Sequence, residues 1–319
     1  MSGLLVGIMG AGQMAQGFDK PGDAHVLSLA HAVSASSSLR LGGFYDRSVE
    51  RARAAEAKWG CPETPRDRAE WLRQPWDIVC IATPDERHAD DLRDVLACRP
   101  KAVLVEKPLA TDAAKGSCLL KEAAAAGIPV LVDFPRRFHS GVSAVSRLIE
   151  DGKVGAPIAS TFVYSGEASH SASHMLDLFH AWWGGGWSAE LKGRHGSTTL
   201  IELSRGTGRV AATFISMPAS AYYVWEMRLY CASGKIELSN NPETLTVDLL
   251  APHPLYPSFT VLTHKHTFAM EGEPLLNRTF ESLNAIASNQ ADGLRQLARE
   301  AESQAFSGQL LAVLEGRRA

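Results

Sequence analysis

The stretch Leu4-Leu-Val-Gly-Ile-Met9-Gly10-Ala11-Gly12-Gln13-Met14-Ala15 decides how the rest of the chain is read. Leu4–Met9 is an apolar run of strand length. Gly10, Gly12 and Ala15 follow it as G-x-G-x-x-A and open a helix. Each position meets a separate physical need of a dinucleotide site. Gly10 makes a tight turn, Gly12 lets a pyrophosphate approach the backbone, and Ala15 lets helix and strand pack closely. The free N–H groups and positive dipole of a helix N-terminus favour the phosphates. Gly10, Ala11, Gly12, Gln13 and Met14 are therefore expected on the pyrophosphate side. A second strand, Leu39–Asp46, ends in an acid placed to accept hydrogen bonds from an adenosine ribose. That favours NAD, since a 2′-phosphate beside Asp46 is repelled. Arg47 could stack on adenine or neutralise such a phosphate, so NADP stays open.

Outward from this turn, strand and helix alternate. Ser48–Trp59 reads as a helix, Trp76–Thr83 as a strand, and Asp85–Ala97 as a helix. Ala102–Glu106 is then a strand, Ala113–Ala126 a helix and Ile128–Asp133 a strand. Such alternation builds right-handed βαβ units on a parallel sheet. The strands are continuous apolar runs, as strands covered on both faces require. The turn-rich insertion at 18–25 breaks the first helix. It reads as a solvated surface loop, with a rim or lid role over the strand ends as the functional alternative.

After Phe138 the pattern changes. Ser143–Asp151 reads as a helix. Ser160–Tyr164, Thr198–Leu203, Val210–Ile215, Tyr222–Cys231, Lys235–Leu238 and Thr244–Leu249 read as strands. Turn signals separate them at Arg205–Gly208, Ser233–Gly234 and Asn240–Pro242. This hairpin spacing predicts an antiparallel or mixed sheet. One helix, about Ser173–Trp183, interrupts it, and helices return at Leu275–Ser288 and Leu294–Leu314. The expected fold class is α/β. A Rossmann-type domain covers residues 1–135. A second α/β domain with a large open, mainly antiparallel sheet covers 136–319, with packing of its last helix back on the first domain left open. The short junction at 134–140 predicts a shared cleft.

Composition supplies no chemistry but excludes several classes. The chain has 319 residues, 45% hydrophobic and 21% charged, with a formal net charge of −3. No basic excess draws in nucleic acid. The longest apolar runs fall far short of the roughly 20 residues of a membrane helix. No basic leader precedes the first strand, so no signal peptide is expected. Five scattered cysteines without a CxxC fit reduced thiols in the cytoplasm.

Two further strand ends carry motifs. Ile81-Ala-Thr83-Pro84 closes the third strand. Thr83 can cap the next helix, Pro84 suits its first position, and Asp85 and Glu86 suit its first turn. His88 follows one turn later. The fourth strand runs into Glu106-Lys107-Pro108. Taken in order, Gly10-x-Gly12-x-x-Ala15, Thr83-Pro84-x-x-x-His88 and Glu106-Lys107-Pro108 resemble the Gfo/Idh/MocA family, which includes glucose–fructose oxidoreductase and inositol dehydrogenase. His174-Met-Leu-Asp177-Leu resembles the family's H-x-x-D-L helix. Ala232-Ser-Gly234-Lys-Ile resembles its strand–glycine turn–strand, and Arg136-Arg137-Phe138 its R-R-F segment at the domain hinge. The resemblance spans nearly the whole chain. It implies an NAD(P)-dependent dehydrogenase acting on sugars, polyols or sugar derivatives. It also implies a Lys–Pro bond that is often cis, and a homo-oligomer formed through the open sheet. Thr83, Pro84, His88, Glu106 and Lys107 would join Asp46 and Arg47 in the cofactor site.

Hydride transfer from a secondary alcohol needs a base for the hydroxyl proton. The resemblance places Lys107 beside the nicotinamide and the reacting hydroxyl, with His174 as acid/base or hydroxyl ligand. Asp177 lies three residues on and can share a helical face with His174. It would orient the imidazole, bind substrate, or stabilise the helix start. Relatives commonly carry Asp four residues before this histidine. Here His170 stands instead, as a substitute relay or a sign of altered chemistry. Lys107, Arg136, Arg137, Tyr164, His170 and His174 are the candidate substrate ligands. A guanidinium suits an anionic sugar group, with a salt bridge as the structural alternative. Aromatic faces at Tyr164 and Trp183 suit a sugar ring, with core packing as the alternative. His170 and His174 at i, i+4 resemble a metal pair, but no third ligand is obvious beyond Asp177 and no metal is expected. His264-x-His266 would face one side of a strand. No G-x-S-x-G elbow is present. An NAD-dependent glycosidase of the same family and a non-catalytic dinucleotide-binding regulator stay open as rivals.

Overall fold

The structure is a computed structural model and describes residues 3–239 and 243–316. Asn240–Pro242, read above as a turn, lies outside the described residues. The chain divides into two compact units, Met1–Pro135 with Pro274–Gln304, and Arg136–Glu273 with Ala305–Ala319.

The first unit is a parallel sheet of β1 (Leu4–Met9), β2 (Leu39–Tyr45), β3 (Ile78–Ile81), β4 (Ala102–Val105) and β5 (Val130–Val132), in the order β2-β1-β3-β4-β5. The crossovers carry α1 (Leu29–Ala35), α2 (Val49–Trp59), α3 (Arg68–Leu72), α4 (Asp85–Ala97) and α5 (Ala113–Ala126). Strands β3, β4 and β5 are buried at every residue. That explains why their sequences run apolar without alternation. All strand pairs are parallel and in register at their ends: Ile81 pairs with Val105, and Val105 with Val132. The residues just past these three strands therefore stand side by side at one edge of the sheet.

The helix expected to open at the glycines and to break at the insertion is shorter still. A single turn of π-helix, Gln13–Gly17, stands in its place, and α1 starts only at Leu29. The insertion between them is not simply solvated. Asp19 is buried and accepts hydrogen bonds from Leu27 N–H (2.5 Å), Ser28 N–H (3.2 Å), the Ser28 hydroxyl and His31 Nδ1 (2.8 Å). One buried carboxylate thus pins the loop to the start of α1.

The second unit begins with α6 (Ser140–Glu150), β6 (Pro157–Ser165) and α7 (Ala172–Trp183). Seven more strands follow: β7 (Ser188–His195), β8 (Thr198–Arg205), β9 (Gly208–Met217), β10 (Trp225–Cys231), β11 (Gly234–Ser239), β12 (Thr244–Pro252) and β13 (Thr260–Ala269). Their order is β13-β12-β11-β10-β6-β9-β8-β7. Only β6–β9 is parallel among the described pairs. Residues from α6, α7 and the end of α9 (Gln290–Leu314) form a core with the inward residues of the sheet, including Phe162, Phe214, Trp225 and Ile236. The opposite face is mixed, with charged pairs beside exposed Leu200, Tyr230 and Leu250. Arg228 pairs with Glu237, and Lys235 reaches Glu237 (3.0 Å) and Asp248 (2.8 Å) across three neighbouring strands. Strand β7, which the sequence reading did not predict, and β13, of which it placed only His264 and His266 on a strand, are the two sheet edges. α8 (Leu275–Ser288) packs on α1 and β4, within the first unit.

Candidate active site

The glycine turn is built by backbone. Gly10 has φ +104°, and a Cβ there would lie 2.3 Å from the Ala82 carbonyl oxygen. Only glycine tolerates both conditions. Its N–H donates to the Tyr45 carbonyl (2.7 Å), closing the turn against β2. At Gly12 a Cβ would meet nothing within 4 Å. The missing side chain leaves open space directly against the backbone, which is the close approach a pyrophosphate needs. These residues therefore fit a dinucleotide. Gln13 is exposed and Met14 half-buried, while Ala15 is fully buried beneath them. Lys58 reaches over from α2 and donates to the Gln16 carbonyl (2.6 Å) and side-chain oxygen (3.0 Å), fixing the short π-turn.

Asp46 stands at the end of β2. It accepts the Ala11 N–H (3.0 Å) on Oδ2, and the Ser48 N–H (2.8 Å) and the Arg51 guanidinium on Oδ1. Arg47 is exposed. Beyond β3, Thr83 does not cap α4. Its hydroxyl donates to Asp91 (2.6 Å), and Pro84 occupies the N-cap without a side-chain bond. Asp91 is fully buried and also receives Arg68 (2.8 Å) and Arg87 (3.2 Å). The ring nitrogens of His88 lie 2.7 Å from the Pro108 and Thr83 carbonyl oxygens, and the ring is buried. His88, expected as a cofactor ligand, instead ties the Thr83 turn to the Lys107–Pro108 turn, whose peptide bond is cis.

Lys107 is half-buried at the end of β4. The residue before it, Glu106, and Asp133 follow the paired Val105 and Val132, so they sit abreast on neighbouring strands. Both are buried. Burial, then the Asp133 charge and its hydrogen bond, push the Glu106 carboxyl well above the usual carboxylate range, against a smaller opposing pull from Lys107. Two buried carboxyls joined by a hydrogen bond need a proton between them. Beneath them the Cys80 thiol is raised by burial and by the same two acids.

In the second unit the polar groups gather by side-chain pairing. Arg137 makes a two-point ion pair with Asp177, through Nε (2.9 Å) and Nη2, with side chains 11% and 3% exposed. Arg136 donates to Glu243 (2.8 Å), and its guanidinium lies 4.4 Å over the Trp225 ring. The half-buried His174 meets the same indole edge-on at 6.4 Å. The indole N–H of Trp225 donates to the Ser171 carbonyl (3.0 Å). α7 starts at Ala172, so His170 lies in the preceding turn, exposed, with Nε2 3.8 Å from Glu167. The helical i, i+4 premise for a histidine pair does not hold. No group of three potential metal ligands occurs among the described residues. Tyr164 is buried in the core with Ser216 beside its hydroxyl, and Trp183 is buried as well.

A family model described as an oxidoreductase family with an NAD-binding Rossmann fold matches residues 4–134. Over that span the chain is similar to the Gfo/Idh/MocA family. Inositol 2-dehydrogenase of Rhizobium meliloti (strain 1021) is 33% identical over 149 residues, 47% of this chain and 41% of that protein. The chain thus spans less than half the length of the curated relatives it matches. Among solved structures, KijD10 from Actinomadura kijaniata, a 3-ketoreductase in complex with NADP and TDP-benzene, has a TM-score of 0.71 at 15% identity. It covers 99% of this chain and 98% of that one. An oxidoreductase from Agrobacterium radiobacter in complex with NAD+, L-tartaric acid and magnesium has a TM-score of 0.68 at 18% identity, covering 99% and 95%. These likenesses show that the two-part α/β fold is shared along nearly the whole chain.

The first unit brings together the glycine turn, Asp46, Thr83, Glu106 and Lys107 at the carboxyl ends of its strands. The second brings His174, Arg136, Arg137 and Asp177 around α7 and Trp225. Sequence reading missed Trp225, Arg51 and Asp133. Trp225 stands in the first strand of the strand–glycine turn–strand segment, whose pattern gives that position no role. Arg51 is one of two arginines on α2, with nothing in the sequence to single it out. Asp133 gave one readable signal, a carboxylate closing an otherwise apolar strand.

Proposed function

We propose that the protein is an NAD(P)-dependent oxidoreductase that transfers hydride between the nicotinamide and a secondary hydroxyl or ketone of a sugar, polyol or sugar derivative. The observation that carries this reading is Lys107, half-buried at the end of β4 in the domain whose glycine turn fits a dinucleotide. The nicotinamide, when bound, supplies the hydride acceptor or donor. Lys107 handles the hydroxyl proton at its Nζ, and His174 is the second proton-handling group. Arg137 and Asp177 hold the start of α7 and so position His174. Arg136 and the Trp225 face offer a cation beside an aromatic plane, which suits a hydroxylated and partly apolar ligand. His170 is exposed enough to meet substrate directly. The relatives named inositol 2-dehydrogenase, and the neighbour named as a 3-ketoreductase, support a polyol or sugar as substrate. The open face of the eight-stranded sheet is the proposed contact for a homo-oligomer. Five free cysteines support a reducing compartment, the cytoplasm.

The test is a panel of inositols, aldoses and nucleotide sugars, incubated with the protein and oxidised dinucleotide while formation of the reduced form is followed. Turnover with at least one polyol or sugar is expected. Tight dinucleotide binding without hydride transfer to or from any compound would overturn the reading in favour of a sensor.

A further inference from the structure

We propose that the ribose corner at the end of β2 accepts a 2′-phosphorylated dinucleotide as well as the unphosphorylated one, and that Arg51 decides this. The inference rests on the dinucleotide reading above and deepens it. An aspartate at this position discriminates in two ways. Its charge repels a 2′-phosphate, and its free lone pairs hold a 2′-hydroxyl. Neighbours within the chain blunt both.

A carboxylate offers about four lone-pair sites. On Asp46, Oδ1 accepts Ser48 N–H (2.8 Å), Arg51 Nη2 (2.8 Å) and Arg51 Nε (3.2 Å), and Oδ2 accepts Ala11 N–H (3.0 Å). Oδ1 is full, and Oδ2 keeps room for one ribose hydroxyl. The charge is met too. Arg51 lies on the carboxylate and Arg47 is the next residue, exposed. The other acid of this turn, Glu50, accepts the Ser48 hydroxyl (2.9 Å) and feels Arg53. Arg47, Arg51 and Arg53 thus stand against Asp46 and Glu50, leaving the corner with a surplus of guanidinium.

The mobility of the two partners differs. The Asp46 side chain is 10% exposed and pinned by two backbone N–H groups. The Arg51 side chain is 62% exposed and held only by the carboxylate. An exposed pair of this kind is weak in water, so the guanidinium can turn from Asp46 to an incoming phosphate. Its planar fork matches phosphate oxygens two at a time. With the unphosphorylated dinucleotide, Arg51 stays on Asp46 and Oδ2 serves the ribose.

The test is titration of the whole protein with NADH and with NADPH, read by nucleotide fluorescence or calorimetry, for the wild type, Arg51→Ala and Arg51→Glu. For the wild type the two Kd values are expected within about tenfold of each other. Arg51→Ala should weaken NADPH about tenfold or more, the worth of a charge-assisted hydrogen bond, and leave NADH as tight or tighter. Arg51→Glu should widen the gap further. Wild-type binding of NADH alone overturns the inference and leaves the reading above standing, as does an equal change in both Kd values on losing Arg51. Failure of the wild type to bind either nucleotide overturns both.

Discussion

In the first unit the site is drawn mainly by backbone. Gly10 is fixed by its φ and by the nearness of the Ala82 carbonyl, Gly12 by the space outside it, and Lys107 by the register of parallel strands. In the second unit the polar groups are held by side chains far apart in sequence. Arg137 finds Asp177 40 residues on, and Arg136 finds Glu243 107 residues on. A backbone-made site needs particular residue types at fixed short spacings, so it shows as a motif and fails when a side chain intrudes. A site held by side-chain pairs needs only complementary charges that the fold brings together. It leaves no local pattern and fails when one partner is removed.

The strongest break of this contrast comes at Gly10. Gly10→Val forces a branched residue to positive φ and against the Ala82 carbonyl. A loss of about 3 kcal/mol or more is expected, with dinucleotide binding abolished, measured by urea unfolding and nucleotide titration. Retained binding would show that the cradle is not backbone-made. Next comes Asp177→Ala, which leaves the Arg137 guanidinium buried without its carboxylate. About 3–5 kcal/mol is expected, and replacing both partners by apolar residues should cost less than either single change. A loss below about 1 kcal/mol would place this pair with ordinary surface ion pairs.

This contrast also accounts for what could be read in advance. The strands of the first unit, its motif-bearing ends and the mixed character of the second sheet were legible, because buried parallel strands run apolar and hairpins announce their turns. Strand β7 and the bounds of β13 were not. These two strands are the edges of the sheet, and β7 is exposed or half-buried throughout. Neither is forced into apolar alternation. The insertion at 18–25 looked solvated because its one decisive residue, Asp19, is polar. Its burial follows from acceptors and donors that only the fold brings together. Arg136 and Arg137 looked available to an anionic ligand, yet each is engaged by a carboxylate whose position no spacing reveals.

A smaller, pH-dependent effect sharpens the first half of the comparison. Burial raises the Asp19 carboxyl, but the Ser28 hydroxyl, the Leu27 N–H and His31 outweigh it and hold the group below its ordinary value of 3.8. A lowered folded value means stabilisation that is present above the unfolded value and lost as pH falls through the folded one. The stability difference between wild type and Asp19→Asn should therefore be constant at neutral pH and shrink on acidification below about pH 4. A difference that grows on acidification would reverse the sign. The smallest effect concerns the thiols. Burial, then the Glu56 charge, pushes Cys61 up to about 12, and burial alone pushes Cys231 to about 12. At neutral pH, alkylation should mark the exposed Cys98 and Cys118 well before these two, as peptide mapping would show. Early labelling of Cys231 would mean that the second sheet opens more readily than its core implies.

Lys107→Met tests the central claim most directly, because it removes the proposed proton-handling group and leaves the glycine turn untouched. Dinucleotide affinity should stay within about threefold, while turnover on the substrate found in the panel should fall by about 100-fold or more. Unchanged turnover with normal dinucleotide binding would contradict the account.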